Sequence, residues 1–294
     1  SYNSSNGTDW DLKTDGLIIQ TTLNYRLQKH ALNAFEKHLQ KMQRFLRKQY
    51  ERGTSKRELD KIIENELKRN NLSGRAQSYS IVELFDWSDS RTDSISVKDS
   101  LSYFITQLHA GLMAMDPSTG EIRAYVGGVD FRKFPYDQIR AKRQMASSFK
   151  PILYAAAIEQ GFSPCTYLDN SEMTFTDFNN WQPKNYDNTY GGEFSLQAAL
   201  LKSKNVPTVN LFFGVGFENL DYLWEKMKFS SDLDNLPSTA LGTASASIYE
   251  VAIAYASFAN GGYLVEPVSI LSIKTESGEV LFEKKLKRPS VRIL

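Results

Sequence analysis

Apolar residues recur at different periods along this chain, and the change of period divides it. Residues 17–22 are apolar and β-branched, the composition of a strand. From Asn24, whose side chain suits a helix N-cap, apolar residues fall at Leu27, Ala31, Phe35, Leu39, Met42 and Leu46. Spacings of four and three put them on one stripe and predict an amphipathic helix. The string SKRE at 55–58 has capping-box form, and Leu59, Ile62, Ile63 and Leu67 follow on one face. A second helix is therefore expected, ending near Asn70 and Asn71. Residues 72–98 are polar and read as loop.

From about Gly111 the texture changes. Residues 111–128 read as strand, turn, strand, with DPSTG at 116–120 supplying the turn. Residues 147–160 predict a helix stopped by Gly161. A short helix is expected over 195–202, and further helices around 208–227 and 247–259, the last stopped by Asn260, Gly261 and Gly262. Residues 263–275 and 279–286 predict a hairpin about Glu276, Ser277 and Gly278.

Composition adds little to this picture. The chain has 294 residues, is 41% hydrophobic and 23% charged, and carries a formal net charge of +1. That overall balance gives no electrostatic case for nucleic acid or a membrane as a partner. The charge is uneven, however, with 14 Lys and Arg against six Asp and Glu in residues 25–75. Such a stretch suits an anionic lipid or acidic polymer, or equally the solvated face of a helix. A single cysteine, Cys165, excludes an internal disulfide framework. No apolar run is long enough to span a bilayer, and no signal peptide opens the sequence.

The chemistry centres on RQMASSFKP at 143–151. Ser147 and Lys150 are three apart, so on a helix they share a face. A serine hydroxyl needs a base to become a nucleophile, and a lysine serves if desolvation keeps its amine neutral. The following Ile152, Leu153, Ala155, Ala156 and Ile158 predict a buried helix that supplies the desolvation, and Pro151 is tolerated in its first turn. The plainer alternative makes Ser147 or Ser148 an N-cap and lets Lys150 snorkel to solvent. A second element, Ser203-Lys204-Asn205, sets a hydroxyl and an amide two apart. The three histidines, His30, His38 and His109, form no metal-ligand spacing, and no cofactor motif is present.

In six blocks the sequence resembles the transpeptidase domain of class A penicillin-binding proteins, whose S-x-x-K, S-x-N and K-T-G elements are characteristic. The blocks are AMDPSTGEIRAYVGG (114–128), RQMASSFKP, WQPKNY (181–186), LQAALLKSKN (196–205), ALGTAS (240–245) and AYASFANGG (254–262). The resemblance implies an α+β fold of the penicillin-binding and serine β-lactamase type. That fold has an antiparallel sheet flanked by helices, and a central buried helix carries S-x-x-K. It implies a transpeptidase domain over 108–294, incomplete at its C-terminus, preceded by a helical linker region over 1–107. It further implies Ser147 as the acylated nucleophile, Lys150 as its base and Ser203 as a proton relay. Asn205, Trp181 and Asn185 would bind substrate. The implied reaction is cross-linking of D-Ala-D-Ala stem peptides at the outer face of the cytoplasmic membrane, with β-lactams acylating the same serine. Peptidoglycan stem peptides, lipid-linked precursors and other cell-wall synthesis proteins are the implied partners.

Two departures stand against the pattern. Met145 and Ala146 occupy the place of the family's usual Pro-Gly before the nucleophile. No K-T-G occurs, and the nearest string, KTESG at 274–278, falls in the predicted hairpin. The expectation is of a fragment ending before the K-T-G strand, with a glycosyltransferase domain and membrane anchor preceding it in the parent. A non-catalytic scaffold or β-lactam sensor is the alternative. Without the K-T-G strand's oxyanion donor, slow or absent reaction with penicillin is expected of these 294 residues.

Overall fold

The computed structural model describes residues 2–87 and 89–294. A short helix α1 (Tyr2–Asn6) and strand β1 (Ile18–Thr21) lead into helices α2 (Tyr25–Gln49) and α3 (Gly53–Arg69). Strands β2 (Tyr79–Asp86) and β3 (Asp89–Ser96) and helix α4 (Val97–Ile105) follow. Next come β4 (Leu112–Met115), β5 (Ile122–Val126), β6 (Lys142–Gln144), α5 (Lys150–Glu159), β7 (Tyr167–Asp169) and β8 (Glu193–Ser195). The order closes with α6 (Leu196–Leu201), α7 (Val206–Val215), α8 (Phe217–Lys226), β9 (Ser245–Ser247), α9 (Ile248–Ala259), β10 (Ile270–Lys274) and β11 (Val280–Glu283). Two compact units result. One holds the residues up to Leu23, Met113–Arg123 and Arg140–Leu294; the other holds Asn24–Leu112 and Ala124–Ile139.

In the second unit α2 begins as its sequence predicts, with the Asn24 side chain accepting the Leu27 N–H. Its one buried polar residue, Gln43, ties it to the end of α4. Nε2 donates to the Thr106 carbonyl at 2.8 Å, and Oε1 accepts from the Leu108 N–H at 2.8 Å. Two expectations fail here. The helix α3 starts at Gly53, whose φ of 71° turns the chain early, so Ser55 lies inside the first turn and the SKRE string makes no capping box. The supposed loop over 72–98 contains an antiparallel hairpin paired from Tyr79↔Ser96 to Asp86↔Asp89. Its second strand has Ile95 as its only apolar residue, so no alternation marked it; backbone pairing and the burial of Leu84 and Phe85 hold it.

The first unit carries the antiparallel sheet β1-β10-β11. The β10–β11 hairpin lies where predicted, and the KTESG string forms its turn, with Lys274 opposite Ile18. Just past β1 the buried Thr22 hydroxyl donates to the carbonyls of Ile122 and Val268 at 2.7 and 2.9 Å, fixing that sheet's position within the unit. The core is helical. Phe149, Ile152, Leu153, Ala156 and Ala157 of the α5 region are buried against α7 and α8, each large aliphatic contributing about 1.5–3 kcal/mol. Trp224 of α8 stacks on Phe229 with ring centroids 3.7 Å apart and anchors its indole N–H on the Ser231 carbonyl. The helix α5 ends as expected, with Gly161 at a φ of 89°.

Candidate active site

The approach to Ser147 is suspended from two pieces of chain. β6 pairs with β9, and the pairing continues beyond the strands through Met145 N–H to the Ala244 carbonyl and Ala146 N–H to the Gly242 carbonyl, both at 2.9 Å. Gly242 comes so close that a Cβ there would lie 2.0 Å from the Ala146 oxygen. Ala146 itself sits at a φ of 48°, a left-handed conformation that costs an L-residue about 1–2 kcal/mol. This is the position at which the sequence departs from the expected glycine, and the backbone keeps the glycine-like geometry.

A 3-10 turn over Ala146–Phe149 then delivers Ser147 and Ser148 to the surface. The two hydroxyls differ. That of Ser148 donates to the Met145 carbonyl, and its own carbonyl accepts from Tyr255 Oη at 2.7 Å. The Ser147 hydroxyl makes no hydrogen bond among the described residues and remains available to an incoming group.

Lys150 does not snorkel. It is 1% exposed, and its amine faces the second sequence element. Nζ donates to Ser203 O at 2.7 Å, Ser203 Oγ at 3.2 Å, Lys204 O at 3.1 Å and Asn205 Oδ1 at 2.7 Å. None of these partners is an anion. Burial therefore acts on the amine without a counter-ion and pulls its pKa down from 10.5 to about 8.

The Ser203–Asn205 segment owes its shape to helix ends. Lys204 N–H reaches the Ala199 carbonyl and Ser203 N–H the Leu200 carbonyl, the Schellman closure of α6. Ser203 occupies the left-handed position of that closure, at a φ of 50°, where glycine is usual. Asn205 is the N-cap of α7 but makes no side-chain cap bond, which leaves its Oδ1 for Lys150. Asn185 caps the helix in its place, its Oδ1 accepting the N–H groups of Asn205 and Val206 at 2.8 and 3.1 Å.

Asn185, expected to bind substrate, is engaged within the protein itself. It is 2% exposed, and its Nδ2 donates to Asn170 Oδ1 and the Thr189 carbonyl, both at 2.8 Å. With both donors and both lone pairs used, it has no group left for a substrate. Trp181, also expected to bind substrate, packs on Phe175, which stacks on Phe213. Lys150, Ser203 and Asn205 thus meet through the Lys150 amine, Ser147 lies three residues before Lys150 in the preceding turn, and Asn185 supports Asn205.

Sequence reasoning overlooked Lys204. Only 5% exposed, it bridges Asp187 Oδ2 at 2.7 Å and Thr189 Oγ1 at 2.5 Å, and lies over the Phe194 ring. These bonds and the amine hold the Asp187 carboxyl down at about 2. No spacing relates 187 to 204; the one available signal was a lysine placed between two residues already singled out. Among the described residues no group of three or more His, Cys, Asp or Glu is disposed to hold a metal, and no helix is long and apolar enough to cross a membrane.

The chain is similar to known proteins in sequence and in fold. Residues 110–292 match the family described as the penicillin binding protein transpeptidase domain. Penicillin-binding protein 1A of Pseudomonas aeruginosa is 38% identical over 195 residues, which cover 64% of this chain and 23% of that protein, so the chain spans about a quarter of that relative's length. The crystal structure of penicillin-binding protein 1A from Haemophilus influenzae aligns with a TM-score of 0.71 at 22% identity, covering 98% of this chain and 49% of the other. PonA1 from Mycobacterium tuberculosis, solved in complex with penicillin V, aligns with a TM-score of 0.58 at 18% identity over 92% of this chain and 59% of its own.

Proposed function

Because this chain belongs to the penicillin-binding protein transpeptidase family, we propose that it performs the acyl-transfer step of peptidoglycan cross-linking, with Ser147 as nucleophile. The observation that carries the reading is the Lys150 amine. It is buried, lacks a counter-ion and is pulled toward about 8, one helical turn from an unbonded serine hydroxyl. Such an amine is a usable base near neutral pH, which an exposed lysine is not.

Ser147 Oγ attacks the penultimate D-Ala carbonyl of a stem peptide while Lys150 takes the hydroxyl proton. Collapse of the tetrahedral adduct breaks the peptide bond. The terminal D-Ala leaves as an amine that receives its proton through Ser203 Oγ, which already lies 3.2 Å from Lys150 Nζ. An amine of a neighbouring stem peptide then attacks the ester, forms the cross-link and frees Ser147; water in its place gives the carboxypeptidase outcome. Asn205, with one N–H of its Nδ2 on the Lys184 carbonyl at 2.6 Å, keeps a second N–H for the donor peptide. The four bonds now holding Lys150 have to loosen as Ser147 is engaged, and catalytic hydrogen bonds commonly tighten only with substrate in place.

On this reading β-lactams acylate Ser147 as donor mimics, and the setting is the cell envelope, outside the cytoplasmic membrane. Peptidoglycan stem peptides are the substrates. The test is incubation with a labelled penicillin, of this chain and of a longer one that includes a K-T-G strand, followed by peptide mass mapping. An adduct on Ser147 that Ser147→Ala abolishes and Ser148→Ala only weakens is the expected result. An adduct on Ser148, or none in the longer chain, overturns the assignment.

A further inference from the structure

The helix α2 carries a row of basic side chains that the acyl-transfer reading does not use. Arg26, His30, Lys37, Lys41, Arg44 and Lys48 fall at offsets of 4, 11, 15, 18 and 22 from the first. At 100° per residue these positions stay within about 60° of one another, so they form one ridge along the helix. All six are exposed, and none has an ion pair or hydrogen bond among the described residues. The only side-chain interaction on the ridge is Lys41 over the Phe45 ring. No acidic residue of α2 lies on the ridge: Glu36, the helix's one carboxylate, falls about 80° to one side.

A merely solvated face is usually laced with alternating signs, because like charges at i and i+4 destabilise a helix. Here Lys37 and Lys41, and Arg44 and Lys48, are such like-charged pairs. The ridge is about 33 Å long from Arg26 to Lys48 at 1.5 Å per residue. Beside it, on the same flank, stand two large apolar side chains left in solvent, Leu27 at 40% and Phe45 at 57% exposed. A hydrophilic polyanion would have no use for them, whereas a headgroup layer takes cations at its surface and apolar side chains between its lipids.

We propose that the α2 ridge is a docking surface for an anionic phospholipid bilayer, on which this helix lies flat. Each Lys or Arg near such a surface strengthens binding by roughly fivefold, and the effect is screened within about 8–10 Å by physiological salt.

The experiment is co-sedimentation of the full chain with vesicles of phosphatidylcholine containing about a third phosphatidylglycerol, against pure phosphatidylcholine, at low and high salt. Binding should require the anionic lipid and fall with salt. The variant Lys37→Glu/Arg44→Glu should weaken it by at least a hundredfold, since two attractions become repulsions. The control Lys285→Glu/Lys287→Glu makes the same change in net charge at exposed positions elsewhere and should leave binding within a few fold. Phe45→Ala should weaken vesicle binding severalfold without changing retention on a soluble polyphosphate. Circular dichroism checks that every variant keeps its helix content. Equal loss in the control, binding to soluble polyphosphate but not to vesicles, or no binding to anionic vesicles at low salt would each overturn the proposal.

Discussion

Replacing Gly242 by alanine tests how the nucleophile is held. The new Cβ would lie 2.0, 2.6 and 2.7 Å from the oxygen, carbonyl carbon and nitrogen of Ala146, all backbone atoms. No side-chain rotation relieves such contacts, so one of the two chains has to move by about 1 Å. Gly242 also sits at a φ of 81°, where an L-residue costs about 1–2 kcal/mol. Displacement strains the hydrogen bonds from Ala146 N to Gly242 O and from Met145 N to Ala244 O, each worth about 0.5–1.5 kcal/mol. Together these give an expected loss of about 2–4 kcal/mol, or roughly 3–7 °C in Tm by scanning calorimetry. Because the displaced peptide is the one before Ser147, β-lactam labelling of that serine should slow by ten- to a hundredfold, the usual cost of a 1 Å misplacement. Ala146→Gly should do the opposite alone, gaining about 0.5–1 kcal/mol by removing the left-handed alanine, and should recover part of the loss in the double variant. A Gly242→Ala protein with unchanged Tm and unchanged labelling would refute the argument that this contact sets the approach to Ser147.

Labelling at Ser147 should rise about tenfold per pH unit below pH 8 and level off above it, because burial lowers the Lys150 pKa to about 8 and only the neutral amine is a base. The same shift has a stability consequence of fixed sign. The folded state penalises the charged amine below pH 8, and the penalty fades between about 8 and 10.5, so this group alone favours higher pH in denaturant titrations. A labelling rate that is flat from pH 6 to 9 would exclude Lys150 as the base. Lys204→Met should keep the contact with Phe194 but release Asp187 and Thr189, slowing labelling by ten- to a hundredfold through kcat-type rather than affinity effects. Unchanged rates would make Lys204 a stability element only. Asn185→Ala should lower unfolding free energy by about 2–4 kcal/mol, since it removes a helix cap and strands buried partners; a stable variant with weakened substrate binding would restore the ligand role.

Local periodicity made much of this chain legible. The Asn24-capped helix, the turn over 116–120, the apolar α5 segment and its Gly161 stop each follow from the side chains within a few residues. The spacing of Ser147 and Lys150 was legible too, and it singled them out as candidates because residues three apart on a helix share a face. The β2–β3 hairpin was illegible, since its second strand is held by backbone bonds that leave no mark in side-chain polarity. The actual start of α3 at Gly53 was hidden as well, because a string with capping-box form is common and only backbone geometry decides whether it caps.

What tertiary structure alone decided is the environment of the reactive groups. Burial of the lysine was foreseeable from its apolar neighbours, but its four oxygen partners lie more than 50 residues away, beyond the reach of any local spacing. The exchange of roles between two asparagines is of the same kind. Asn205 heads α7 in sequence, yet Asn185 caps it, and that substitution frees Asn205 to meet Lys150. Residue type limits what a side chain can do; the close packing of distant segments determines which of those bonds it makes.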